Sequence, residues 1–235
     1  MTASGIGAAF EACAAQVRRA DPDRYFSALF APTGQRPFLF ALYAFNHELA
    51  HVGETVHEPM LGEIRLQWWR ETLESARRGS PRRHDVAEAL AATFASVALP
   101  EAPFEAMIEA RSLDLLGGAP LDRAAYLDAT SANIMRLAAR VLGGEDRFDD
   151  LAREAGAAYG IAGLMRNARL AANSETIADA RTHFLRARRM AKPKRCLPAF
   201  LPAALVPLYL RGPAKEVSIH RRQLALLSAS LRGRI

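Results

Sequence analysis

The side chains best equipped for chemistry cluster in one short tract, where His47, Glu48, Leu49, Ala50 and His51 form a His-Glu-x-x-His run followed by Glu54 and His57. On a helix, positions i and i+4 share a face, so His47 and His51 have the spacing of two imidazole ligands to one metal ion. Glu48 would then stand where a zinc peptidase keeps its general base. His57 follows at the spacing of a third ligand, but the extended motif needs glycine where Glu54 stands, and Gly53 is one place early. If the helix runs on, ten residues turn roughly 1,000° and advance about 15 Å, which leaves His57 about 80° off His47. A zinc peptidase is therefore the third and weakest functional reading. The plainer account of His47, His51, Glu54 and Glu58, spaced 4, 3 and 4 apart, is a polar helix face turned away from an apolar seam.

That seam is the element that must position them. Phe38, Leu42, Phe45, Leu49, Val52 and Val56 recur at helical spacing from Arg36 to His57, and Glu58-Pro59 ends the run because the residue before proline avoids the α region. The same periodicity predicts helices from Gly62 to near Gly79, from Asp85 to Leu99, and from Glu101 to Leu116. Further helices are expected from Asp122 to Leu142, from Asp149 to Ala172 and from Ser174 to Met190. β-Branched residues are sparse, and no linker, repeat or low-complexity run divides the chain. The expectation is a single all-α domain, residues 1–235, of about nine or ten helices.

With 235 residues, half of them hydrophobic, the chain has ample material for a core. Cys13 and Cys196 stand far apart with no Cys-x-x-Cys spacing, which fits neither a disulfide framework nor a thiolate zinc site and suits a reducing compartment. The first 25 residues lack a long apolar stretch and carry Glu11, Asp21 and Asp23. No signal peptide is expected, and a cytoplasmic protein follows from that.

The net charge of +6 conceals a split. Residues 181–235 hold thirteen lysines and arginines against one acid, Glu216, a balance of +12; residues 1–180 keep 18 bases and 24 acids, a balance of −6. A basic module of this kind suits an anionic membrane surface, met peripherally at its inner face, or an acidic protein partner. Nucleic acid is not expected, since recognition motifs for it are lacking. Within the module, Cys196 to Leu210 is uncharged and broken by Pro198, Pro202 and Pro207. It is too short and kinked for a transmembrane helix, and is read either as a bent helix capping the bundle or as an in-plane membrane contact.

The tract from Asp21 to Leu73 carries a more specific signal. Its runs DPDRYFSALFAP, FLFALYAFNHELAHVGETVHEP and GEIRLQWWRETLE strongly resemble the squalene/phytoene synthase family. The nearest resemblance is to the subgroup that takes part in mitochondrial complex I assembly, where AFN-x-ELA and a downstream R-x-Q-[FW]-W stand in this order. A looser likeness runs from Tyr126 to Arg169. The resemblance implies an all-α isoprenoid-synthase bundle in which active members hold Mg²⁺ between two aspartate-rich segments to bind a prenyl diphosphate. The chemistry needs that arrangement, since hard cations must neutralise the departing diphosphate.

Aligned on Tyr43-Ala44-Phe45, the first aspartate-rich segment falls on Ala50, His51 and Glu54, so that one acid of three survives. The second should follow a helix ending near Arg166, where Asn167, Ala168, Arg169 and Leu170 offer none before Glu175. The resemblance leaves Tyr25, Arg36, Tyr43, Asn46, Glu54, Gln67, Trp68 and Arg166 as candidates to line a pocket for an apolar, isoprenoid-like ligand. The leading expectation is a catalytically degenerate member with a binding or assembly role in respiratory complex I biogenesis, for which no cofactor and no catalytic residue is assigned. Its rival is an active prenyltransferase whose Mg²⁺ site is rebuilt from His47, His51 and Glu54.

Overall fold

The computed structural model describes residues 3–56, 58–116, 122–144, 146–190, 193–211 and 217–235. Every regular element among them is helical: α1 (Ala3–Ala20), α2 (Pro22–Ala28), α3 (Arg36–Thr55), α4 (Pro59–Arg77), α5 (Asp85–Ser96), α6 (Ala102–Ser112), α7 (Arg123–Leu127), α8 (Asn133–Val141), α9 (Asp149–Arg166), α10 (Ser174–Arg189), α11 (Leu197–Phe200), α12 (Val206–Tyr209) and α13 (Ile219–Arg232). Nine of these run nine residues or more, which accords with the helix count read from periodicity. The chain forms two compact units, residues 1–117 and 118–235, each with its own core.

In the first unit α3 is the central helix, in contact with α1, α5, α6 and α4. Neighbours on several sides leave residues 39–46 buried all round, and polar alternation begins only at His47. Four of the six seam residues, Leu42, Phe45, Leu49 and Val52, are buried. Phe45 meets the Trp69 ring at 5.4 Å and the Phe104 ring at 5.6 Å, and burying such a side chain contributes about 2–3 kcal/mol. The helix stops at Thr55, two residues short of the expected end. Val56 turns extended with its amide still donating to the Val52 carbonyl at 3.1 Å. Glu58 is extended ahead of Pro59, and that proline opens α4, where its missing N–H costs no hydrogen bond. His57 lies outside the described residues.

The second unit is built on α9, which packs against α7, α8 and α10. The helix expected from Asp122 to Leu142 is instead α7 and α8 joined by a π-turn, Asp128–Ala132. There the backbone lies directly against α9. A Cβ on Gly156 would stand 2.5 Å from the Ala132 Cα, and one on Gly160 would stand 2.5 Å from a Leu127 methyl. Glycine is required at position 156, where the close atoms are backbone, whereas at position 160 a Cβ would first displace the Leu127 and Ser131 side chains.

The proline-broken stretch lies in this second core. Cys196, Leu197, Phe200, Leu201, Leu205, Val206 and Tyr209 are all buried, Phe200 and Leu201 completely. Each proline begins a new short helical turn, so the segment bends around α8 and α9 rather than lying flat. Of the two readings of this stretch, the bent cap is the one the fold contains, because the side chains needed for membrane contact are already used for packing. No described helix is long and apolar enough to cross a membrane.

Candidate histidine cleft and the sequence-identified pocket residues

Where residues 39–46 give way to the polar face of α3, His47, Glu48 and His51 open onto a cleft of about 750 Å³. Helix α1 supplies Gln16 and Arg19 to its wall, with Ala12, Ala15 and Ala20 between them, and the start of α5 supplies His84 and Asp85. A smaller hollow of about 230 Å³ adjoins it, lined by Val52, Thr55, Arg65, Trp68 and Trp69 together with Glu48, His51 and His84. The three shared residues therefore form the wall common to both.

The donors and acceptors of this wall are largely engaged. Gln16 donates from its side-chain amide to the Glu48 carboxylate, tying α1 to α3. His51 Nδ1 lies 3.1 Å from Glu54 Oε2 on the exposed end of α3. The His47 and His51 rings stack with centroids 5.4 Å apart. His84 caps α5: its Nδ1 accepts from the Val86 amide at 3.2 Å, which leaves the ring proton on Nε2. Its ring edge rests on Trp68 and Trp69, at 5.6 and 5.4 Å. His84 escaped the sequence reading, although a histidine directly before the Asp-Val-Ala-Glu start of α5 was the available signal for a cap.

The other candidates are dispersed. In the first unit, Tyr25 stacks on Phe40 at 5.3 Å, and Arg36 donates from Nε to the Ala31 carbonyl at 2.9 Å. Gln67 is exposed and donates to Glu71 at 3.3 Å, whose carboxyl is held below its ordinary range by Arg82 first and by Gln67 second. Asn46 is buried at the last position of the enclosed part of α3. Tyr43 is buried with no hydrogen-bond partner for its hydroxyl, and burial pushes the phenol far above its usual range. Arg24 lies 5.9 Å above that ring and pairs with Asp21 at 2.6 Å. Trp68 alone among the pocket candidates joins the histidine wall, while Glu54 sits one turn beyond it. Arg166, in the second unit, is exposed with its guanidinium 4.5 Å from the Tyr209 ring centroid.

These residues do not fit Mg²⁺, which wants near-octahedral oxygen ligation. At the three positions Ala50, His51 and Glu54 one carboxylate is present, and it faces an imidazole, while Glu48 on the same wall is taken up by the Gln16 side-chain amide. After α9 the backbone closes on itself: Ala168 is left-handed at φ 55, and the Arg169 and Leu170 amides both donate to the Leu164 carbonyl, at 2.8 and 3.1 Å. The side chains presented there are an amide and a guanidinium, with no acid. Among the described residues no group of three or more His, Cys, Asp or Glu side chains is placed to hold a metal ion.

An all-α bundle with aromatic and polar residues on facing helices is the architecture of isoprenoid synthases. The chain belongs to the squalene/phytoene synthase family, whose model matches residues 17–174. Among curated proteins it is 29% identical over 171 residues to NADH dehydrogenase (ubiquinone) complex I assembly factor 6 of Bos taurus, covering 69% of this chain and 51% of that protein. It is 30% identical over 160 residues to the Homo sapiens protein of the same name, covering 66% and 47%. The chain thus spans about half the length of the curated relatives it matches. Among solved structures it resembles a dehydrosqualene synthase at a TM-score of 0.76 and 14% identity, over 97% of both chains. It also resembles the squalene synthase HpnC of Alicyclobacillus acidocaldarius at 0.71 and 20%, over 99% of this chain and 97% of that one. At these identities the structural likeness speaks to the fold.

Proposed function

We propose that this chain is a non-catalytic member of the family that serves in the assembly of respiratory complex I, acting by binding rather than by turnover. The observation that carries the reading is the loss of carboxylates at both places where an active member holds its metal ions. Ala50, His51 and Glu54 stand at the first, and the closed turn from Asn167 to Leu170 stands at the second. A diphosphate leaving group with no bridging cations keeps its full charge, and that removes the means of ionising the substrate. The curated relatives named as complex I assembly factors support the same reading. In it the partners are protein subunits of the complex, and an apolar, isoprenoid-like ligand would be bound without being converted.

The test is genetic and biochemical together. Deleting the gene is expected to lower fully assembled complex I on native gels and NADH:quinone activity in isolated membranes. Resupplying the chain should restore both, and so should a His51→Ala/Glu54→Ala variant. Unchanged complex I in the deletion strain, or loss of rescue in that variant together with Mg²⁺-dependent pyrophosphate release by the wild type, would overturn the proposal.

A further inference from the structure

We propose that α13 is a docking surface for an anionic lipid bilayer. The helix is anchored from beneath: Leu226 and Ala229 are fully buried, packed toward the 3₁₀ turn Leu201–Leu205. On its outer side Leu224, Leu227 and Leu231 are 65%, 45% and 80% exposed. Their i, i+3, i+7 spacing places them within an arc of roughly 60°. A helix that merely faces water carries polar residues along that arc. Here the leucines form a stripe that the protein's own core does not use.

The charges beside the stripe select the occupant. Arg221 and Arg232 are exposed roughly 60–80° round the helix from Leu224. Arg234 and His220 are exposed as well, and residues 217–235 contain no acid. Among the described residues, Arg221, Arg232 and Arg234 have no carboxylate partner. The headgroup boundary of an anionic bilayer meets both needs at once, with hydrocarbon for the leucines and phosphates for the guanidinium groups. Arginine stems are long enough to let the heads stay at the phosphates while the leucines go deeper. The helix is already formed and capped: Ser218 Oγ accepts from the Arg221 amide at 3.4 Å, and Gly233 closes the end at φ 64. Little ordering is therefore left to do on contact. The membrane contact of the basic module thus falls not on the stretch Cys196 to Leu210, most of whose apolar groups are buried, but on α13, whose Leu224, Leu227 and Leu231 are exposed.

Co-sedimentation of the full chain with vesicles of phosphatidylcholine containing about one third phosphatidylglycerol tests it. The wild type is expected to bind these about tenfold more than pure phosphatidylcholine vesicles at low salt, and to retain part of that binding near 1 M salt, where charges are screened beyond about 3 Å. Leu224→Gln/Leu227→Gln/Leu231→Gln should abolish the salt-resistant part, and Arg221→Gln/Arg232→Gln/Arg234→Gln should abolish the preference for anionic lipid. Circular dichroism and urea midpoints verify folding, and Leu231→Gln alone is the substitute if the triple variant misfolds. Met60→Gln/Ile64→Gln, at exposed apolar positions of α4, should bind as the wild type does. A wild type that stays in the supernatant with anionic vesicles at low salt overturns the proposal and leaves the arginines to an acidic protein. Undiminished binding by the leucine variants, or equal loss in the α4 variant, overturns it too.

Discussion

His51 Nδ1 lies 3.1 Å from Glu54 Oε2 across one exposed turn of α3, which pairs two side chains that the resemblance aligns with metal-binding aspartates. Exposed pairs of this kind contribute at most about 1 kcal/mol. Their significance is chemical, because an imidazole in contact with the Glu54 carboxylate competes with a hard cation for it.

Restoring the first segment alone should not restore activity. Ala50→Asp/His51→Asp adds two acids to α3 alongside Glu54, but the turn from Asn167 to Leu170 still lacks any. Neither the wild type nor this variant is expected to release pyrophosphate from farnesyl diphosphate with Mg²⁺ above a heat-killed control. Mg²⁺ plus the diphosphate should likewise leave the melting temperature where Mg²⁺ alone puts it, since a ligand bound only by the native state would raise it.

Two alanine substitutions in one helix should have opposite signs. Gly156→Ala drives a methyl to 2.5 Å from the Ala132 Cα, a backbone atom that cannot step aside. Overpacking of that kind costs about 1–3 kcal/mol. Gly163→Ala, three residues before the end of α9, meets nothing within 4 Å and should stabilise by about 0.5–1 kcal/mol through helix propensity. Urea denaturation midpoints decide both.

Tyr43→Phe removes a buried hydroxyl that has no partner. Stability should be unchanged or rise by about 1 kcal/mol, the desolvation cost of an unpaired polar group. A loss above about 1 kcal/mol in equilibrium unfolding would mean that the hydroxyl is bonded in solution.

Cys13 should make the protein alkali-sensitive. Burial first, with Asp85 and Glu48 adding to it, pushes its thiol from 9.0 up to about 12. Below pH 9 the thiol is neutral in both states and exerts no pH dependence. Between pH 9 and about 12 only the unfolded chain loses the proton, so stability falls with rising pH. The slope is about 1.4 kcal/mol per pH unit at most. Subtracting the profile of Cys13→Ala from that of the wild type isolates the effect. Both cysteines are buried, and the native protein should react with a thiol reagent at neutral pH only after unfolding.

Local chemistry decided the helical class and most of the boundaries. Helical spacing of apolar residues needs no tertiary information, and Pro59 acts on its neighbour Glu58 wherever the helix is placed. The residues that mark the family, and the absence of acids between Arg166 and Glu175, were equally plain in one dimension. Tertiary structure decided how many faces of each helix are covered. The sequence from Leu39 to Asn46 has an apolar seam, yet neighbours on several sides bury the whole of it. His84 joined His47 and His51 because α5 begins beside α3, 33 residues after the nearer of them. Most of all, tertiary structure decided which apolar stretch of the basic module is covered: the proline-rich run wraps into a core, and the regular helix α13 keeps three leucines outside. Composition alone cannot rank two apolar segments by burial, because burial depends on which partner surface each one reaches.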